Sequence, residues 1–114
     1  MSEAELFSRN ELFWGIDAQN ILKNAHVAVF GLGGVGGFCA ESLARAGIGR
    51  LTIIDFDKVS ISNINRQIVA LHSTVGQNKA KLFENRLKDI NPDIKLNAVD
   101  DFYTGADEIF EGKI

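Results

Sequence analysis

One cysteine, one proline, one methionine and one tryptophan in 114 residues leave several chemistries without material. A lone thiol, Cys39, cannot close a disulfide within the chain or build a zinc site on paired thiolates. A reducing cytoplasm is the compartment that fits. With a net charge of −3 and a pI near 5.3, the chain offers a polyanion no global attraction. Nucleic-acid contact therefore requires a local basic patch or a further segment. Apolar runs of roughly 18 residues, the length of a membrane span, are missing, and the start MSEAELFSRN is acidic and polar. Neither a signal peptide nor a membrane segment is expected.

What is present is an apolar content of 46%, enough for the core of one small domain. Residues 2 to 24 carry apolar positions at near-helical spacing, from Leu6 to Leu22, with a break at Gly15. They predict a helical arm, residues 1–24, that packs on something. His26–Phe30 (HVAVF) and Leu51–Ile54 (LTII) are short β-rich runs, apolar on both faces as buried parallel strands are. Between them Val35–Ala46 has helical spacing and stops at Gly47, suited to a left-handed helix end. A second helix runs from about Asn78 to Ile90 and halts at Asn91-Pro92, and Ile94–Val99 alternates as a third strand. A short helix over Thr104–Phe110 completes the pattern. The prediction is an α/β, Rossmann-like, doubly wound and mainly parallel sheet with right-handed crossovers. Three strands are few for it, so residues 25–114 are expected to be the N-terminal part of a nucleotide-binding domain, truncated.

Gly31, Gly33 and Gly36 satisfy GxGxxG directly after a strand and at a helix start, the context that motif requires. Without side chains, the backbone turns sharply and brings amide N–H groups and the positive helix end against a phosphate. Gly34 and Gly37 add to the openness. Asp55 ends the second strand, 19 residues after Gly36, where a carboxylate accepts ribose hydroxyls. A nicotinamide cofactor and ATP explain these residues equally.

The stretch Asp57–Gln67 (DKVSISNINRQ) favours ATP. A triphosphate brings about four negative charges against two for the pyrophosphate of NAD, and calls for cationic and amide donors beyond a glycine loop. Asn63, Asn65 and Arg66 are placed to supply them, with Asp57 beside the nucleotide. Lys79 and Lys81 stand in the first turn of the second predicted helix, where the dipole disfavours cations by roughly 0.3–1 kcal/mol each. At least Lys79 is therefore expected to face a phosphate. Cys39, among apolar neighbours, is expected in the core. His26 and His72 have no companions for a triad, and Asp57, Asp100 and Asp101 suit solvated strand ends better than a metal, so no metal ligand is assigned.

VFGLGGVG (29–36), LTIIDFDKVSISNINRQ (51–67) and TVGQNK (74–79) together resemble the ThiF, MoeB and HesA superfamily, relatives of ubiquitin-activating enzymes. The resemblance spans nearly the whole chain. It implies that Asp55 binds the ribose, that Gly34 and its neighbours lie along the nucleotide, and that Asn63, Arg66 and Lys79 hold the phosphates and the adenylation transition state. It implies ATP with magnesium, whose main ligand is expected beyond residue 114. Two stretches, NINRQIVAL (63–71) and VDDFYT (99–104), are similar to the tRNA threonylcarbamoyladenosine dehydratases within that superfamily. That similarity implies adenylation of the modified nucleoside's carboxylate in tRNA, then ring closure with release of AMP and loss of water. RNELFWG (9–15) resembles the family's N-terminal stretch, which implies a homodimer in which Arg9 reaches the partner's nucleotide site. The 114 residues alone are expected to bind nucleotide weakly and to catalyse little. The alternatives are adenylation of the C-terminal glycine of a sulfur-carrier protein, which would bring a sulfur-transfer partner, a non-catalytic nucleotide-binding or dimerisation module, and NAD-dependent oxidoreduction, for which no hydride-transfer acid or base is seen.

Overall fold

The computed structural model describes residues 3–100, so the expected helix over Thr104–Phe110 lies outside the described residues. Three short helices come first: α1 (Glu3–Leu6), α2 (Ser8–Trp14) and α3 (Ile16–Lys23). The break between α2 and α3 falls at Gly15, which has φ +89°. Strand β1 (His26–Phe30), helix α4 (Gly34–Ala46), strand β2 (Arg50–Ile54), helix α5 (Lys79–Ile90) and strand β3 (Lys95–Val99) follow. The spans agree with the sequence reading to within about one residue.

The strands form one parallel sheet in the order β1-β2-β3, one half of a doubly wound arrangement. The register aligns His26, Arg50 and Lys95 at one edge and Phe30, Ile54 and Val99 at the other. β2, the central strand, is buried from Leu51 to Ile54, as a strand hydrogen-bonded on both sides must be. α4 packs on β1 and β2, while α5 packs on β3 and on α4. Leu32, Ile48, Leu51, Ile53, Phe83 and Leu87 are fully buried at the centre of the core.

Gly37 serves this packing. A Cβ there would meet the Phe83 ring at 2.8 Å, so the missing side chain admits α5 against α4 and does not open the turn as expected. Cys39 also departs from expectation. It is exposed, one turn after the exposed Val35 of α4 and next to the exposed Phe38. Helical spacing marked α4 as amphipathic, but the buried stripe is Gly37, Ala40 and Ala44, whose small side chains carry little hydrophobic signal.

The arm docks on the C-terminal end of α4. Helix ends leave carbonyls without intrahelical partners. Gln19 is buried and its Nε2 donates to the Ala46 carbonyl at 2.9 Å, while Asn10 Nδ2 donates to the same oxygen at 3.3 Å. Trp14 Nε1 donates to Gln19 Oε1 at 2.9 Å, and Phe7 is buried beside Gly47, the left-handed residue that ends α4. A second clamp joins the crossovers: Glu41 on α4 accepts from Arg45 Nε at 3.3 Å and from Arg86 Nε of α5.

Candidate nucleotide site

The site lies at the C-terminal edge of the sheet, where a parallel β-α crossover exposes a helix N-terminus. After β1 the chain turns at Gly31, whose φ of +87° favours glycine, and the Gly31 N–H donates to Ile54 O at 2.8 Å. At Gly36 a Cβ would lie 1.8 Å from the Gly31 carbonyl oxygen. Backbone against backbone cannot yield, so the turn requires glycine there. At Gly34, by contrast, a Cβ meets nothing within 4 Å. No side chain caps the start of α4 at Gly33, and the amides of Gly34, Val35 and Gly36 have no hydrogen bond among the described residues. Three unused donors at the positive end of a 13-residue helix form an anion-binding cradle.

Asp55, buried at the end of β2, ties this cradle down. Its Oδ2 accepts the Leu32 N–H and its Oδ1 accepts the Asp57 N–H, each at 2.7 Å. Both oxygens thus already serve the backbone, which the expected ribose contact did not anticipate. Each still has a lone pair for a further donor. The Asp57 carbonyl in turn accepts the Lys79 N–H at 3.1 Å, so the glycine turn, the end of β2 and the start of α5 form one hydrogen-bonded unit. The Asp57 side chain is exposed.

The segment from Asp57 to Asn78 is anchored at both ends. Val59 N–H donates to Gln77 O, Gly76 N–H donates to Val59 O, and Lys58 bridges to Asn78, while Val59, Val69 and Ala70 enter the core. Asn63 is buried. Its Oδ1 accepts the Ser60 N–H at 3.0 Å, and its Nδ2 has no partner among the described residues. Asn65 and Arg66 are exposed, with an Arg66 guanidinium nitrogen bound to Ser62 O at 2.9 Å and to Asn65 Oδ1 at 3.0 Å.

Lys79 is the most telling side chain. It is 5% exposed, and its ammonium has no hydrogen bond or ion pair among the described residues. A buried lysine stem that ends in an ammonium without a protein partner leaves that charge available to an anion at the site. Lys81 instead lies in solvent and pairs with Glu84 at 3.2 Å. Sequence reasoning passed over Gln67. It is buried, its amide nitrogen lies 3.6 Å from where a Gly33 Cβ would stand, and its Oε1 is a buried acceptor without a partner. Its place beside Arg66 at the end of the stretch Asp57–Gln67 was the available signal. Arg9 is exposed on α2, in the arm.

The ThiF family model matches residues 7–112. The chain belongs to the ThiF family. Among its relatives, the tRNA threonylcarbamoyladenosine dehydratase of Bacillus subtilis is 54% identical over 98 residues, covering 86% of this chain and 39% of that protein. The molybdopterin-synthase adenylyltransferase of Salmonella typhimurium is 42% identical over 103 residues, covering 87% of this chain and 41% of that protein. The crystal structure of the Escherichia coli tRNA N6-threonylcarbamoyladenosine dehydratase in complex with ATP superposes with a TM-score of 0.87 at 42% identity, over 93% of this chain and 44% of that one. The chain spans about two fifths of the length of these ThiF-family relatives. Among the described residues no helix is long and apolar enough to cross a membrane, and no three His, Cys, Asp or Glu side chains gather to hold a metal ion.

Proposed function

We propose that the chain is the nucleotide-holding part of an enzyme that activates a carboxylate with ATP, and that the carboxylate is that of threonylcarbamoyladenosine in tRNA. The observation that carries this reading is the buried residue Lys79, its ammonium unpartnered among the described residues, joined through Asp57 and Asp55 to a turn with three unused amide donors. A carboxylate oxygen attacks the α-phosphorus, the bond to the β-phosphate breaks, and pyrophosphate leaves. Ring closure onto the activated acyl carbon then expels AMP, which carries away the substrate oxygen, so the substrate loses one water overall.

Such chemistry asks the protein for position and charge neutralisation, with little covalent help. The amides of Gly34, Val35 and Gly36 lie along the phosphates. Lys79 and Arg66 neutralise the charge, Arg66 by leaving its contacts with Ser62 and Asn65, and Asn63 Nδ2 donates a hydrogen bond to it. Asp55, with Asp57 and Asn65 at the rim, faces the ribose. The described residues do not gather a magnesium site. Residues 1–24 act as an arm to a second copy, with Arg9 reaching its nucleotide, and residues 25–114 form the N-terminal part of the adenylation domain. The 54% identity with a tRNA threonylcarbamoyladenosine dehydratase supports tRNA as the substrate and the cytoplasm as the compartment.

The test is incubation of the full-length protein with ATP and tRNA bearing threonylcarbamoyladenosine. AMP release matched by the loss of one water from the nucleoside is expected. AMP formation that requires a sulfur-carrier protein and ignores tRNA would overturn the substrate and favour the second reading, to which the 42% identity with an adenylyltransferase lends weight.

A further inference from the structure

We infer that the opposite edge of the sheet holds a phosphate of the RNA backbone, an inference that rests on the tRNA reading above. The first residues of the three strands, His26, Arg50 and Lys95, stand side by side in register. Residues so paired point to the same face of a parallel sheet, and like charges on neighbouring strands repel. His26 is engaged, its Nε2 lying 2.8 Å from Thr52 Oγ1. Arg50 is half-buried, and neither its guanidinium nor the Lys95 ammonium has a hydrogen bond or ion pair among the described residues. All three residues line a cavity of about 390 Å³ together with Lys23. Asp93 is the one carboxylate on its wall, and it has no bond to Arg50 or Lys95.

Two cations without a partner among the described residues, Arg50 and Lys95, stand beside one carboxylate here, in a chain whose net charge is −3. Backbone hydrogen bonds hold the arrangement: Gly49 N–H to Leu22 O at 3.0 Å, Arg50 N–H to Ala25 O at 3.1 Å, and Lys95 N–H to Gly49 O at 2.9 Å. The register keeps Arg50 and Lys95 neighbours on one face, so an anion between their side chains relieves the repulsion. This edge lies roughly 13 Å from the glycine turn, four strand steps away. A nucleotide held at the turn does not reach across the sheet, whereas a phosphodiester chain touches both ends.

The test measures tRNA affinity of the full-length protein against salt concentration for the unchanged protein and for Lys95→Gln, Arg50→Gln and Asp93→Asn, with ATP affinity in parallel. Lys95→Gln and Arg50→Gln each weaken RNA binding several-fold and flatten the slope of log affinity against log salt by about 1. Asp93→Asn strengthens binding, and ATP affinity stays constant throughout. Lys95 is exposed, so its variant remains informative if Arg50→Gln fails to fold. Unaltered RNA affinity and slope in folded variants would overturn the site while leaving the tRNA reading intact. Inorganic phosphate binding that Lys95→Gln abolishes, with RNA binding unchanged, would assign the cavity to a free phosphate and overturn the RNA assignment. Absence of tRNA binding by the unchanged protein would sink the substrate reading first and this site with it.

Discussion

At Gly36 the nearest obstacle to a side chain is a carbonyl oxygen of the same turn, and at Gly34 there is none. The two glycines therefore separate structure from function. Gly36→Ala costs at least about 2 kcal/mol, because overpacking against backbone cannot be relieved by a rotamer change. Its thermal midpoint falls and nucleotide binding is lost with it. Gly34→Ala leaves the midpoint unchanged or raises it, since alanine is the better helix former by roughly 0.5–1 kcal/mol. Thermal denaturation of the two variants checks the contrast, and equal losses would show that the turn is not built as described. Gly36 was legible as a motif position and Gly34 as added openness, but which one the backbone needs was not. That depends on the Gly31 carbonyl, whose direction no sequence pattern specifies. Gln67 was hidden for a similar reason: its role follows from burial over Gly33, and side-chain amides in a polar stretch look alike until the chain is folded.

Among the elements, the strands and crossover helices were legible because apolar runs, helical spacing and the stops at Gly47 and Asn91-Pro92 all agree. The segment between β2 and α5 was legible only as a store of polar groups. Its anchoring by Val59 and by Val69 and Ala70 of one short apolar run leaves no periodic trace. Cys39 misled because α4 is buried along small residues, so the larger side chains on its outer face imitate a core stripe. The clamp between α4 and α5 carries a pH prediction. Burial pushes the Glu41 carboxyl up, but the hydrogen bond and charge of Arg86, with those of Arg45, outweigh it and hold Glu41 below its ordinary value. A carboxylate lowered in the folded state stabilises above its unfolded pKa, and that stability is lost as the pH falls through the folded value. Glu41→Gln is thus expected to cost about 1–2 kcal/mol near neutrality. The deficit is complete above the ordinary glutamate range and closes as the pH falls below that range, through the lowered folded value. Urea unfolding at several pH values checks it, and a deficit that persists into acid would refute the charge pairing.

For the whole molecule, the two proposed sites fall at opposite ends of the parallel sheet. The C-terminal edge gathers the glycine turn, Asp55 and Lys79, and the N-terminal edge gathers Arg50 and Lys95. The first was foreseeable from motif spacing. The second depends on strand register, which aligns residues far apart in the chain. The central claim is that the first turn of α4 and the buried Lys79 hold the phosphates of ATP. Calorimetric titration of ATP into the full-length protein and its Lys79→Met variant tests it most directly. Methionine fills similar space without a charge to bury, so the variant is expected to be as stable as the parent or more so, yet to bind ATP at least about tenfold more weakly, a loss of roughly 1.4 kcal/mol. Equal ATP affinity in a folded Lys79→Met protein, or no ATP binding by the parent, would contradict the account.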